Sequence, residues 1–228
     1  MSNNIYVGWD SREDIAYQVC EHSIRRRTNQ NSVNVSPLKQ SELREQKLYW
    51  REQDKLSSTE FTITRFLVPH LNKFTGWAAF CDCDMVWRSD PSELFSQVDD
   101  SKAVMVVKHD YTPQEGTKMD GQLQMLYPRK NWSSMILWNC GHPKNKALDL
   151  ETVNTASPSF LHRFEWLDDE DIGTLDHSWN WLVGWYDVER DGDPKIIHYT
   201  EGGPWFEETR HCEFSHIWKQ ELINLYSS

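Results

Sequence analysis

The stretch GWAAFCDCDMVW, residues 76–87, leads an apolar run into Asp82 and Asp84 and leaves through a second apolar run. WAAF reads as a short buried strand, and carboxylates at i and i+2 near its end reach the same side of the chain. A cation held there meets both solvent and substrate. Hard oxygen ligands suit Mg²⁺ or Mn²⁺, and such an ion neutralises a diphosphate and stabilises the charge that builds as it leaves. An isolated D-x-D recurs in surface turns; the apolar flanks set this one apart. Cys81 and Cys83 face away from Phe80, Asp82 and Asp84. Without further soft ligands at recognisable spacing they read as small buried residues, not zinc ligands.

Working outward, IYVGWD (5–10) predicts a first strand. Ser11 with Asp14 predicts a capping box, and Ile15, Ala16, Val19, Cys20 and Ile24 follow at helical spacing. VNVSPL predicts a second strand, SELREQK a short polar helix, and TEFTITRFLVPHL a helix disturbed by Pro69. PSELF opens a helix on Pro91. KAVMVVK and WSSMILWN predict strands covered on both faces, KIIHYT a last strand, and FSHIWKQELINLY a closing amphipathic helix. Residues 110–130 lack periodicity and read as a surface excursion that, with 151–185, is expected to carry substrate specificity. This alternation predicts a single α/β domain with a mostly parallel central sheet. Ligands would sit beyond the strands' carboxyl ends, where Trp9, Asp10, Ser11 and Arg12 follow the first strand.

Composition narrows the function. The chain of 228 residues has a formal charge of −11, which argues against a nucleic-acid backbone as partner. Arg25, Arg26 and Arg27 fall where a helix should end and read as cations favoured by its dipole. No apolar stretch approaches a membrane span, and MSNNIYVGWD has no signal-peptide pattern. Five cysteines, an odd number without framework spacing, fit reduced thiols. The expected location is cytoplasmic. Twelve tryptophans exceed ordinary usage and supply either core or flat faces for sugars and bases.

RFLVP (65–69) leading into the D-x-D strand resembles retaining glycosyltransferases of the glycogenin and galactosyltransferase type, family 8. WSSMILWNC, HYTEGGPW (198–205) and IYVGWDSRE are similar to further motifs of that family in the same order. The resemblance implies a GT-A fold, Rossmann-like, with a nucleotide-binding part over about 1–108 and an acceptor-side part over about 109–228. It implies a nucleotide-diphosphate sugar, by that family's habit a UDP-sugar, with Mn²⁺ or Mg²⁺ held by Asp82, Asp84 and His198. Asp82 would also contact the ribose or sugar. Arg65 would lie near the donor sugar and diphosphate. Val7, Gly8, Trp9, Asp10 and Arg12 would line the nucleoside site, and Gly202 and Gly203 would let backbone approach a phosphate. Asp176 and His177 would serve the acceptor side, with Asn180 shaping the pocket.

Two departures stand out. Gly203 occupies the place of the family lysine, leaving Lys195, Arg12 or Arg210 to replace it, and WSS replaces NSG, leaving Ser133 and Ser134 as substitutes. The implied reaction moves a hexose to an acceptor hydroxyl with retention, the leaving diphosphate oxygen taking the proton. An inverting route would need a carboxylate base, Asp176 or Glu201. A carbohydrate-binding protein using Trp132, Trp138, Trp166, Trp179, Trp181, Trp185 and Trp205 as stacking platforms is the alternative of another class. A nucleotidyltransferase is a third, but GWDSREDIAY is poor in the glycine that its phosphate loop requires.

Overall fold

The computed structural model describes residues 3–28, 32–52, 58–109, 129 and 131–227. The expected excursion at 110–130 thus lies almost wholly outside the described residues.

The chain opens with β1 (Asn3–Gly8), α1 (Asp14–Arg26), β2 (Val33–Leu38) and α2 (Gln40–Glu45). A 3₁₀ turn over Thr64–Leu67 runs into α3 (Val68–Leu71), β3 (Trp77–Cys81), β4 (Met85–Trp87), α4 (Pro91–Phe95) and β5 (Val104–Val107). There follow β6 (Met135–Asn139), α5 (Leu150–Thr155), α6 (Pro158–His162), β7 (Ile172–Leu175), β8 (Trp181–Leu182), α7 (Val188–Asp191), β9 (Ile196–His198) and α8 (Ser215–Ser227).

Six strands form the central sheet in the order β2-β1-β3-β6-β5-β7. β1 runs parallel to β2 and β3, and β5 parallel to β7; β6 is antiparallel to both neighbours. Because β6 runs backwards, its first residues lie at the edge where β3 ends: Cys81 pairs with Met135, and Asp82 N–H donates to Ser134 O at 2.9 Å. Short-range patterning cannot tell strand direction, and the apolar run of β6 reads alike either way.

A second sheet, β4-β9-β8, was not expected from the sequence. Its strands have two or three residues each, too short for a period. It pairs Met85 and Leu182 with His198 and brings Tyr199 N–H to Asp84 O at 3.0 Å. Val19, Val86, Ile197, Tyr199 and Trp218 form a satellite core beneath it.

Local expectations need two corrections. Glu13, not Ser11, precedes α1 and makes no side-chain cap; the Ser11 hydroxyl donates instead to Glu60 Oε1 at 2.5 Å. At the other end of α1, Arg26 and Arg27 reach Glu221 of α8 at 3.3 and 3.2 Å, and His22 Nδ1 reaches it at 2.8 Å. Glu221 is 2% exposed, so this arginine run answers a buried carboxylate more than a helix dipole. Among the described residues no helix is long and apolar enough to cross a membrane.

Candidate active site

Asp82 and Asp84 stand on the link between the two sheets, immediately after β3 and before β4. Arg65, on the 3₁₀ turn, is 5% exposed and packs its guanidinium over Phe61 and Phe80 at 5.3 and 4.9 Å. Its Nη1 donates to Ser133 O at 2.7 Å and sits 2.9 Å from Asp82 Oδ1 as an ion pair. Across the link, His198 Nε2 lies 3.3 Å from Asp84 Oδ2.

Asn180 sets the histidine tautomer. Its amide nitrogen donates to Ser134 Oγ at 2.9 Å, which turns its Oδ1 toward His198 Nδ1 at 2.8 Å. An amide oxygen only accepts, so Nδ1 carries the proton and Nε2 faces the carboxylates.

Ligand atoms of Asp82, Asp84 and His198 lie within 4.8 Å of one another. Among the described residues Asp84 Oδ1 is buried without a hydrogen-bond donor, and Asp82 Oδ1 has the Arg65 ion pair but no well-aligned donor. Two buried carboxylates, one with an oxygen that no donor reaches, beside an imidazole nitrogen fit a divalent cation, which would supply the missing partner. The electrostatics agree. Burial, with Asp84 and Glu13 adding to it, pushes Asp82 up to about 7 against the pull of Arg65 and His198. Burial also works against ionised Asp84, but the charge and hydrogen bond of His198 outweigh it and hold that carboxyl below its ordinary value. The same pairing raises His198 against its own desolvation.

These groups open into a cleft of about 1070 Å³. Of the residues singled out from sequence, Ser11, Arg12, Arg65, Asp82, Asp84, Ser133, Ser134, His198, Glu201 and Gly202 line it. Others do not. Val7 is fully buried in β1, and a Cβ on Gly8 would lie 2.5 Å from the Phe61 ring, so close packing explains that glycine. Trp9 donates its Nε1 to Asp14 and faces Lys39. Asp10 is fully buried, its carboxylate taken by Arg12 and by the Glu60 N–H, so it builds the turn behind the cleft wall. A Cβ on Gly203 would meet the Trp205 ring at 1.9 Å.

Asp176 and His177 are not brought to the cleft. Asp176 caps the Ser178 N–H at the start of a 3₁₀ turn, and His177 stacks on Tyr186 with Nε2 at Asp191 O. The same turn aims Asn180 inward instead. Lys195 pairs with Glu93 away from the cleft, and Arg210 does not line it; of the three lysine substitutes, Arg12 does. Among the described residues no tryptophan lines the cleft, and Trp87, Trp138, Trp179 and Trp181 are among the largest fully buried side chains. Sequence reasoning missed Glu13 and His162, both on the cleft wall, because neither carries a local motif.

This mixed α/β sheet with a D-x-D link is the architecture of GT-A glycosyltransferases. The chain superposes on glycosyltransferase GlyE of Streptococcus pneumoniae with TM-score 0.61 at 14% identity, over 97% of this chain but 60% of that one. Galactosyltransferase LgtC, solved with donor and acceptor sugar analogues, gives 0.61 at 11% identity over 97% and 95% of the two chains. Mouse xyloside xylosyltransferase 1 gives 0.52 at 13% identity over 88% and 98%. At such identities the likeness is one of fold. No family model matches the sequence. Protein CDI of Arabidopsis thaliana is 55% identical over 221 residues, spanning 96% of this chain and 85% of that protein. The chain belongs to the same family as Protein CDI.

Proposed function

We propose that this protein is a divalent-metal-dependent hexosyltransferase, related to family 8, that uses a nucleotide-diphosphate sugar, in first place a UDP-sugar. The observation that carries this reading is the Asp82, Asp84 and His198 cluster, with Asp84 Oδ1 buried and undonated, opening into the cleft of a GT-A fold. When bound there, Mn²⁺ or Mg²⁺ supplies positive charge that stabilises the departing nucleoside diphosphate.

The chain's own residues do the positioning. Asn180 holds His198 with Nε2 toward the aspartates. Arg65, fixed by Ser133 O and two phenylalanine faces, presents a preorganised cation beside Asp82. Arg12, on the turn after β1, lines the cleft with its guanidinium paired to Asp10, and Gly202 lines it as well. In this arrangement the part before residue 109 supplies Arg12, Arg65 and the aspartates, while the later part supplies Ser133, His198 and the acceptor side.

Retention is the stereochemistry we favour, the acceptor proton passing to the leaving diphosphate oxygen. With Asp176 off the cleft, Glu201 on its wall is the carboxylate an inverting route would use. The absence of tryptophan from the wall disfavours a stacking-only saccharide binder. The five cysteines are all free and four are buried, which supports a reducing, cytoplasmic setting.

The test is hydrolysis and binding of UDP-, GDP- and ADP-sugars with Mn²⁺, Mg²⁺ or EDTA. Metal-dependent turnover of one donor, reduced at least about a hundredfold by Asp84→Ala, is expected. No binding of any donor under any metal would overturn the reading. The anomeric configuration of the product decides retention.

A further inference from the structure

His162 closes α6 and lies on the same cleft wall as Arg65 and Ser133. Its ring packs edge-on against Phe66 at 5.2 Å, and its Nδ1 is 2.8 Å from Ser133 Oγ. Ser133 also accepts Arg65 Nη1 through its carbonyl, so the imidazole is braced against the Arg65 and Asp82 pair. Among the described residues nothing hydrogen-bonds Nε2, and that atom is not sealed from solvent.

Such a nitrogen has a restricted chemistry. Burial, and then the charge of Arg65, push His162 down to about 3, so the ring is neutral across the physiological range. It is therefore a poor general acid or base near pH 7 and brings no charge to a phosphate. With Nδ1 committed to a serine hydroxyl, Nε2 is a donor in one tautomer and an acceptor in the other. A hydroxyl satisfies both. A cation at Asp82, Asp84 and His198 would draw a donor's diphosphate to that end of the cleft, and Arg65, Ser133 and His162 line the wall next to it.

We propose that His162 Nε2 hydrogen-bonds a hydroxyl of the transferred hexose, so that Ser133 and His162 form a sugar-reading subsite. This rests on the transferase reading above. Phe66 fixes the ring plane and Ser133 its rotation, which makes the subsite selective for where a hydroxyl projects and not merely for its presence.

The experiment measures binding by calorimetry with Mn²⁺ present, comparing wild type, His162→Phe and His162→Gln. The probes are UDP, the UDP-, GDP- and ADP-sugar panel, and monodeoxy analogues of whichever sugar donor the wild type binds. All three proteins are expected to bind the nucleoside diphosphate within about twofold, while His162→Phe loses roughly three- to tenfold for the intact donor and His162→Gln loses less. One deoxy analogue should show the same loss in wild type and no further loss in His162→Phe, a non-additivity that a structural role would not produce. In wild type, the ¹⁵N signal of His162 Nε2 should move on adding donor and stay on adding UDP, a readout independent of whether a variant folds. Unchanged donor affinity in the variants, fully additive losses, or an unmoved ¹⁵N signal overturns the subsite alone. A wild type that binds no donor overturns the transferase reading and the subsite with it.

Discussion

His198 can serve a cation only through Nε2, and Asn180 is what leaves that nitrogen facing the aspartates. Replacing Asn180 by Leu keeps the volume but leaves His198 Nδ1 and Ser134 Oγ without their partner. Mn²⁺ affinity should fall about ten- to hundredfold, read by calorimetry, while Asn180→Asp retains more of it because the accepting oxygen remains. The carboxylates predict a pH effect on stability. Asp82 rises from its ordinary 3.8 to about 7, and Glu13, through burial and then Asp84 and Asp10, rises from 4.5 to about 7. Between those values the folded chain binds more protons than the unfolded one, so metal-free stability falls as pH rises through the window and the full cost is present above it. A divalent cation offsets that cost. Mn²⁺ should therefore raise the Tm more at pH 8 than at pH 5.5 in a thermal-shift assay; equal shifts would contradict a buried acidic site. The i, i+2 spacing of Asp82 and Asp84 was legible because it is local. Asn180 was visible only as a residue that shapes the pocket, since nothing nearby in sequence says which ring nitrogen it meets.

At the scale of elements, α1 and α8 are held together by Glu221, which gathers His22, Arg26 and Arg27 at 2.8 to 3.3 Å. Glu221→Ala should cost about 3 kcal/mol in urea unfolding, because three cationic or polar groups lose a buried partner at once. A loss below about 0.5 kcal/mol would mean that solvent already satisfies them. β1 is pinned differently. Gly8 sits where a methyl group would enter the Phe61 ring, so Gly8→Ala should cost roughly 1–3 kcal/mol through overpacking and tilt the 3₁₀ turn that carries Arg65. The strands and long helices were readable because apolar period and length are printed in consecutive residues. The capping box failed because Ser11 found a tertiary partner in Glu60, and of the second sheet only β9 was legible, as KIIHYT, because β4 and β8 are shorter than any recognisable period.

On the scale of the whole molecule, the cleft is assembled from both sheets: Asp82 follows β3 of the large sheet, and His198 ends β9 of the small one. A cation bridging them would tie the sheets together. Mn²⁺ should therefore slow amide hydrogen exchange at Val86 and Ile197, in β4 and β9, more than at Val35 in β2, with the Asp84→Ala variant showing no such difference. The α/β class, the single alternation of strands and helices and the aspartate pair are properties of neighbouring residues, so the amino-acid order alone determined them. Tertiary structure decided which direction β6 runs, which of the tryptophans fill the core, and that Asn180 backs His198 and His162 lines the cleft while Asp176 and His177 do not reach it. Those outcomes depend on contacts between distant segments, whose energies are set by packing and solvent exclusion that no local pattern encodes.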